Sequence, residues 1–320
     1  MTPDVSVITP VFNRAKMVGR AIASLTRQTL RNIEIIVVDD GSTDRTAATV
    51  AGIDDARLRL VSHSENQGIP AARNSGLNAA RGRYIAWLDS DDVARPQRLA
   101  VQCAFLDANP SIAMIGAAAR RIGPHGIPKL RVSRPPATHA EIVAKLLFRS
   151  AFQQSSVMGR AEILRQYPYR SEFDVCEDVD MFIRLTREYQ TANLPYVLID
   201  RHQHPGQTVR RESARIIKAK KTLLRDSLAR LGIDATDEEL ENHVLLANIK
   251  RTRVDGEFLQ WGQQWLTRIG AANSRMRLYD PEALAAASNR VWRRALSNAP
   301  ADYRAPLLTR GFRKVRAALW

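Results

Sequence analysis

Between Val5 and Leu88 four short apolar runs alternate with segments of helical period, and this alternation limits the folds open to the chain more than any other feature. Val5–Val11 reads as a strand. Ala15–Thr29 reads as a helix, with Met17, Ala21, Ile22 and Leu25 on one face. Ile33–Val38 is almost wholly β-branched, so that strand is expected to be buried on both faces. Asp39-Asp40-Gly41-Ser42-Thr43-Asp44 is a turn leading into a capped helix. Leu58–Val61 is a third strand, Pro70 opens a helix that Gly82 closes, and Tyr84–Leu88 is a fourth strand. This βαβαβαβ order predicts an α/β fold with a doubly wound, mostly parallel, Rossmann-like sheet. Such sheets bind ligands beyond the carboxyl ends of their strands. Asn13, Asp39, Asp40 and Asp89 all fall at such ends, so separate segments converge on one crevice.

The fourth strand ends in Asp89-Ser90-Asp91-Asp92, three carboxylates in four residues. Like charges so close repel one another unless a cation offsets them. In an extended chain Asp89 and Asp91 lie on one side, and hard oxygen ligands there suit Mg²⁺ or Mn²⁺. Alternatively Asp91 or Asp92 caps the helix that starts near Arg95.

Downstream, Thr138–Phe148 looks helical, Gln153–Met158 resembles a strand edge entering the cleft, and Asp178–Glu188 returns to helical period. From about residue 210 the chain is helical throughout. Ile216, Ile217, Leu224, Leu228 and Leu231 fit one stripe. Phe258, Trp261, Trp265 and Ile269 fit another, expected to be core packing. Asp280-Pro281-Glu282 is a helix start. The final segment, Leu307 to Trp320, sets Leu308, Phe312, Val315 and Leu319 on one face beside Arg310, Arg313, Lys314 and Arg316.

No apolar run reaches the roughly 18 residues that span a bilayer. Val5–Val11 is too short for a signal-peptide core and lacks a basic leader, so a cytoplasmic location is expected. Cys103 and Cys176 make neither a disulfide framework nor a zinc site. The net charge is +15, and residues 201–320 hold roughly 23 basic against 12 acidic residues. That excess predicts an anionic partner such as a membrane leaflet. No helix-turn-helix, RNP or zinc pattern supports nucleic-acid binding. A nucleotidyltransferase would show a Gly-rich N-terminal loop, which Thr9-Pro10-Val11-Phe12-Asn13 is not.

Four linked motifs resemble the inverting GT-A glycosyltransferases of family 2. They are Val5–Asn13, Val37–Asp44 (VVDDGSTD), Asn66–Asn74 (NQGIPAARN) and Gly82–Asp92 (GRYIAWLDSDD). The match is close over roughly the first 120 residues and continues more weakly to about residue 208. It implies a GT-A catalytic domain over 1–208, with a nucleotide-sugar donor half (1–120) and an acceptor half (121–208). A basic helical C-terminal region, 209–320, follows.

The resemblance implies a sugar transferred from a nucleotide diphosphate-sugar, UDP-sugar favoured, to a glycan or lipid-linked acceptor in cell-surface polysaccharide synthesis. Pro10, Phe12 and Asn13 follow or end the first strand, with the Phe12 ring against the donor's base. Asp40, ranked ahead of Asp39, accepts from a pyrimidine N–H. Asn66 and Gly68 shape the donor loop, and Arg73 offers a fork to base or phosphate oxygens. Asp91 is the metal ligand, with Asp89 and Ser90 beside it and Asp89 contacting ribose or metal-bound water. In Cys176-Glu177-Asp178-Val179-Asp180 the acidic pair Glu177-Asp178 supplies the general base, at Asp178. Gln154 and Ser155 face the acceptor. Arg201-His202-Gln203-His204 resembles the family's Arg-x-x-His loop, with His204 reaching the metal or the diphosphate. Asp200 departs from the family's Tyr at the preceding position. The C-terminal helices would dock the enzyme peripherally on the inner face of the cytoplasmic membrane.

Overall fold

The computed structural model describes residues 2–123, 126–202, 213–249 and 254–299. The chain divides into two compact units: Met1–His139 with Ala151–Glu212, and Ala140–Ser150 with Ser213–Trp320.

The first unit is a nine-stranded sheet flanked by helices. Its strands are β1 (Val5–Val11), β2 (Ile33–Asp39), β3 (Leu58–Ser62), β4 (Tyr84–Trp87), β5 (Val93–Ala94), β6 (Ile112–Ile122), β7 (Pro128–Ser133), β8 (Met158–Arg160) and β9 (Gln190–His202). The order is β3-β2-β1-β4-β8-β6-β9-β5, with β7 on the side of β6. β5, β7 and β8 run against the other six strands, so the sheet is mostly parallel, as the βα alternation requires. The helices α1 (Ala15–Thr26), α2 (Thr46–Ala51) and α3 (Ile69–Ala79) are its first crossovers, and α4 (Arg98–Ala108) follows β5.

All of β1 is buried and β2 is buried save Glu34, which fits strands covered on both faces. Val18, Ala21, Ile22 and Leu25 of α1 pack with Val5, Val7, Ile35 and Val37 in one apolar core. The register pairs Val11 with Asp39, so β1 and β2 end together, as parallel neighbours feeding one crevice should.

The second half of the sheet departs from the repeat. The segment read as a strand edge at Gln153–Met158 is a 3-10 turn, Gln154–Ser156, followed by the short β8. That turn seats Ser156 beneath β6: its hydroxyl accepts from Ala117 N at 3.0 Å, and its carbonyl accepts from Gln102 Nε2 at 2.8 Å. The short α6 (Ala161–Leu164) and then α7 (Glu177–Leu185) lead to β9. α7 is preceded by Cys176 in the left-handed region, φ 63°.

The second unit holds α5 (His139–Leu146) from its second residue on, with α8 (Ser213–Arg230), α9 (Asp237–Asn248), α10 (Gly256–Met276) and α11 (Pro281–Ser297). Thr236 and Glu239 form a reciprocal capping box on α9. Asp280 caps α11 through Ala283 N at 2.8 Å, with Pro281 in its first turn. Leu224, Leu228 and Leu231 join the core, but Ile217 is exposed, so the stripe read from residue 216 becomes buried only about two turns later. Trp265 and Ile269 are buried, and Trp261 stacks on Trp265 with centroids 5.6 Å apart. No helix among the described residues is long and apolar enough to cross a membrane. The segment Leu307–Trp320 lies outside the described residues.

Candidate active site

Three loops meet beyond the carboxyl ends of β1, β2 and β4. The first is organised by Asp40. Its Oδ1 accepts from Gln67 N (3.0 Å) and His63 Nδ1 (2.7 Å), and its Oδ2 from Gly68 N (2.9 Å) and Asn66 Nδ2 (3.0 Å). A carboxylate has about four lone-pair positions, so Asp40 is saturated by its own loop. His63 Nδ1 must carry a proton to meet it, and His63 Nε2 lies 2.8 Å from Ser75 Oγ on α3. Asp39 is also buried, but among the described residues its side chain accepts one hydrogen bond, from Ser42 N to Oδ1 at 3.2 Å.

Gly41 makes this close packing possible. It sits at φ +71°, and a Cβ there would stand 2.3 Å from the carbonyl carbon of Glu65. Asn13, at φ 51°, tolerates the left-handed region as Asn often does. Its Oδ1 accepts from Thr43 N (2.9 Å) and Asp44 N (3.3 Å), tying the loop after β1 to the loop after β2. Pro10 is buried within β1, whereas Phe12 is 40 % exposed at its end. Gly68 precedes α3 at φ 90°.

The acidic cluster follows β4. Carboxylate oxygens of Asp89, Asp91 and Asp92 all lie within 4.8 Å of one another. Asp89 and Asp91 are partly exposed; Ser90 and Asp92 are buried. Burial, first, and then the charge of Asp91 push Asp92 up to about 8, against the pull of Arg201. In this cluster the partly exposed Asp89 and Asp91 offer hard oxygen donors that fit Mg²⁺ or Mn²⁺.

Arg73 links this cluster to α7. It is buried, with Nη2 at 3.1 Å from Asp89 Oδ1 and Nε at 3.1 Å from Glu177 Oε1. The guanidinium carbon lies 5.4 Å from the Trp87 ring centre and 5.6 Å from that of Tyr169. Nη1 has no hydrogen-bond partner among the described residues. Burial raises Glu177 to about 7 against the pull of Arg73. Asp178, next on the helix, is partly exposed, and its carboxylate accepts from Val179 N at 2.8 Å. Burial raises its pKa, opposed by Arg73. The third acid, Asp180, is buried between Arg170 and Arg184, an ion-paired arrangement that anchors the helix.

Gln154 and Ser155, read from the sequence as facing the acceptor, each have protein partners. Gln154 is buried and donates from Nε2 to Tyr169 Oη at 3.0 Å. The hydroxyl of Ser155 lies against Asp89 and Asp92. Asp200, at the family's Tyr position, accepts both Nε and Nη2 of Arg120 at 2.9 Å. His204 lies outside the described residues. Sequence reasoning missed the buried aromatic wall of Trp87 and Tyr169, and the tie from His202 N to Asp92 at 3.2 Å. Only the side chains that surround them after folding mark those residues out.

A model described as Glycosyl transferase family 2 matches residues 6–167. A protein of Haemophilus influenzae named "Uncharacterized glycosyltransferase" is 29 % identical over 217 residues, 64 % of this chain and 67 % of that one. The succinoglycan biosynthesis protein ExoO of Rhizobium meliloti is 50 % identical over 97 residues, 30 % of this chain and 28 % of its own. Among solved structures, S. aureus TarS 1–349 in complex with UDP-GlcNAc has TM-score 0.60 at 17 % identity, covering 92 % of this chain and 89 % of that chain. The mannosyltransferase PcManGT of Pyrobaculum calidifontis, in complex with GDP-Man and Mn²⁺, has TM-score 0.54 at 19 % identity, covering 100 % and 85 %. Sheet order, crevice and family match agree: the chain is a glycosyltransferase of GT-A fold and belongs to glycosyl transferase family 2.

Proposed function

We propose that this chain transfers a sugar from a nucleoside diphosphate-sugar to a hydroxyl of a glycan or lipid-linked acceptor, with inversion, in exopolysaccharide synthesis. The observation that carries this reading is the position of Asp178. Glu177 is held by Arg73, and Arg73 also holds Asp89, so the neighbouring Asp178 is set beside the acidic cluster without an ion pair among the described residues. A carboxylate placed so can take the proton of an acceptor hydroxyl as its oxygen attacks the anomeric carbon. A single displacement inverts the configuration, and one base suffices for it.

Phe12 offers an exposed ring for the base. Asp39 keeps a carboxylate oxygen that accepts no hydrogen bond from the described residues, whereas Asp40 is saturated, so Asp39 becomes the better partner for a base N–H. Asp89 and Asp91 would hold the divalent cation, which when bound offsets the charge of the leaving diphosphate. UDP is the favoured carrier, in line with the UDP-GlcNAc bound to TarS; the GDP-Man bound to PcManGT makes GDP the rival. The test is calorimetry of UDP, GDP and dTDP with Mn²⁺ on wild type and Asp91→Ala. Tight binding of one nucleotide, lost in the variant, supports the reading; a folded wild type that binds none overturns it.

Peripheral attachment to an anionic membrane surface belongs to the same reading. In the helical unit, burial and then the charges of Arg290, Arg149 and Arg294 lower Lys145 on α5 to about 8. A phosphate-bearing surface would relieve that crowding. Equal binding to anionic vesicles by the full chain and by a chain lacking residues 306–320 would remove the final segment from this role.

A further inference from the structure

The acidic run contains two kinds of carboxylate. Asp91 is partly exposed, while Asp92 is 2 % exposed and each of its oxygens already faces a protein donor. Oδ1 accepts from His202 N at 3.2 Å; Oδ2 lies 2.5 Å from Ser155 Oγ and 3.7 Å from Arg201 Nε. Ser155 faces Asp89 as well: its Oγ lies 2.9 Å from Asp89 Oδ2 and accepts from Asp89 N at 3.2 Å. One buried hydroxyl therefore touches the backbone and side chain of Asp89 and the side chain of Asp92. The turn that carries it is fixed on both sides, by Ser156 beneath β6 and by Arg201 Nη1 donating to Gln153 Oε1 at 2.6 Å.

We propose that Ser155 and Asp92 are positioning residues for the metal site: a buried bracket that sets the side chain of Asp89, leaving Asp89 and Asp91 to meet the cation. The hydroxyl of Ser155 then acts on the metal site and not on the acceptor. This inference rests on the metal-dependent reading above. Groups that orient metal ligands typically alter affinity by about 10- to 100-fold when removed, because a ligand free to rotate must be reordered on binding.

The experiment is an Mn²⁺ titration of the full chain by electron paramagnetic resonance, with saturating UDP, on wild type, Ser155→Ala, Asp92→Asn and Asp91→Asn. Melting curves in a chelator serve as the folding control. Ser155→Ala should weaken Mn²⁺ by about tenfold or more while melting near wild type without metal. Asp92→Asn keeps an acceptor for His202 N and turns its amide toward Ser155 Oγ, so it should stay within about threefold of wild type, whereas Asp91→Asn should lose binding. If Asp92→Asn loses Mn²⁺ as fully as Asp91→Asn, Asp92 is itself a ligand and the bracket is refuted. If Ser155→Ala binds as wild type does, the positioning role of Ser155 is refuted while the metal reading survives. A wild type that binds no Mn²⁺ overturns both. Should Ser155→Ala not fold, the comparison of the two Asn variants decides.

Discussion

Arg73 Nε lies 3.1 Å from Glu177 Oε1, a buried ion pair that joins α3 to the start of α7 across 104 positions of sequence. The same guanidinium holds Asp89, so one side chain sets the spacing between the acidic cluster and the helix bearing Asp178. Breaking a buried pair from one side leaves an uncompensated partner, typically a loss of about 3–5 kcal/mol. Arg73→Met should therefore lower stability by roughly 3 kcal/mol, and the double variant Arg73→Met/Glu177→Gln should recover part of it. Denaturant melts of the two single variants and the double variant give the coupling. Additive losses would show that the pair is not coupled.

Asp178 should be separable from that scaffold. Asp178→Asn keeps shape and loses the base, so kcat should fall by roughly 10²- to 10⁴-fold with nucleotide affinity nearly unchanged. Burial holds the Asp178 carboxyl above the ordinary carboxylate range. A base works when deprotonated, so turnover should rise with pH through that raised value and be lost as pH falls through it. Asp178→Asn should remove this acid limb from the kcat profile. A variant that keeps the limb would assign it to another group.

These relationships were legible to different degrees. The strands β1 to β4 and the Asp280-Pro281 helix start could be read because periodicity and caps are local signals. β6 was not found: Gly116-Ala117-Ala118-Ala119 has weak strand propensity, and burial between β8 and β9 decides its state. Asp40 differs from Asp39 in its contacts with His63 and Asn66–Gly68, more than twenty positions away, so no local pattern could tell the two surroundings apart. Ser155 carries no signal beyond being a Ser after two Gln. Its contacts with Asp89 and Asp92 are set by where the 3-10 turn places its hydroxyl.

The donor loop depends on an absent side chain. A Cβ on Gly41 would run into the backbone of Glu65 and Asn66, which cannot yield as a flexible side chain would. Its φ of +71° adds strain of about 1–2 kcal/mol for an L-residue. Gly41→Ala should displace Asn66–Gly68 from Asp40 and weaken nucleotide binding by an order of magnitude or more, on the order of 1.4 kcal/mol. Calorimetry with the preferred nucleotide reads this directly. Wild-type affinity in Gly41→Ala would mean that the Asp40 loop does not shape the donor site.

In the helical unit, Trp265 Nε1 donates to His243 Nδ1 at 2.9 Å, and His243 Nε2 lies 2.9 Å from the carbonyl oxygen of Leu147. An indole nitrogen only donates, so Nδ1 must be bare and Nε2 must carry the single proton of a neutral ring. Protonation would set two N–H groups against each other inside a buried core, and burial accordingly lowers His243 to about 4. The unfolded chain binds this proton below about pH 6.5, the folded chain only below its lowered value. The stabilising contribution is thus complete above the unfolded value and is lost as pH falls from there toward about 4, a change of roughly 3 kcal/mol. His243→Phe should flatten that acid dependence, at a loss of about 1–3 kcal/mol at neutral pH from the unpaired Trp265 N–H and Leu147 carbonyl. Melting temperatures of wild type and variant across this acid window provide the check. Parallel curves would show that His243 does not control the acid lability of this unit.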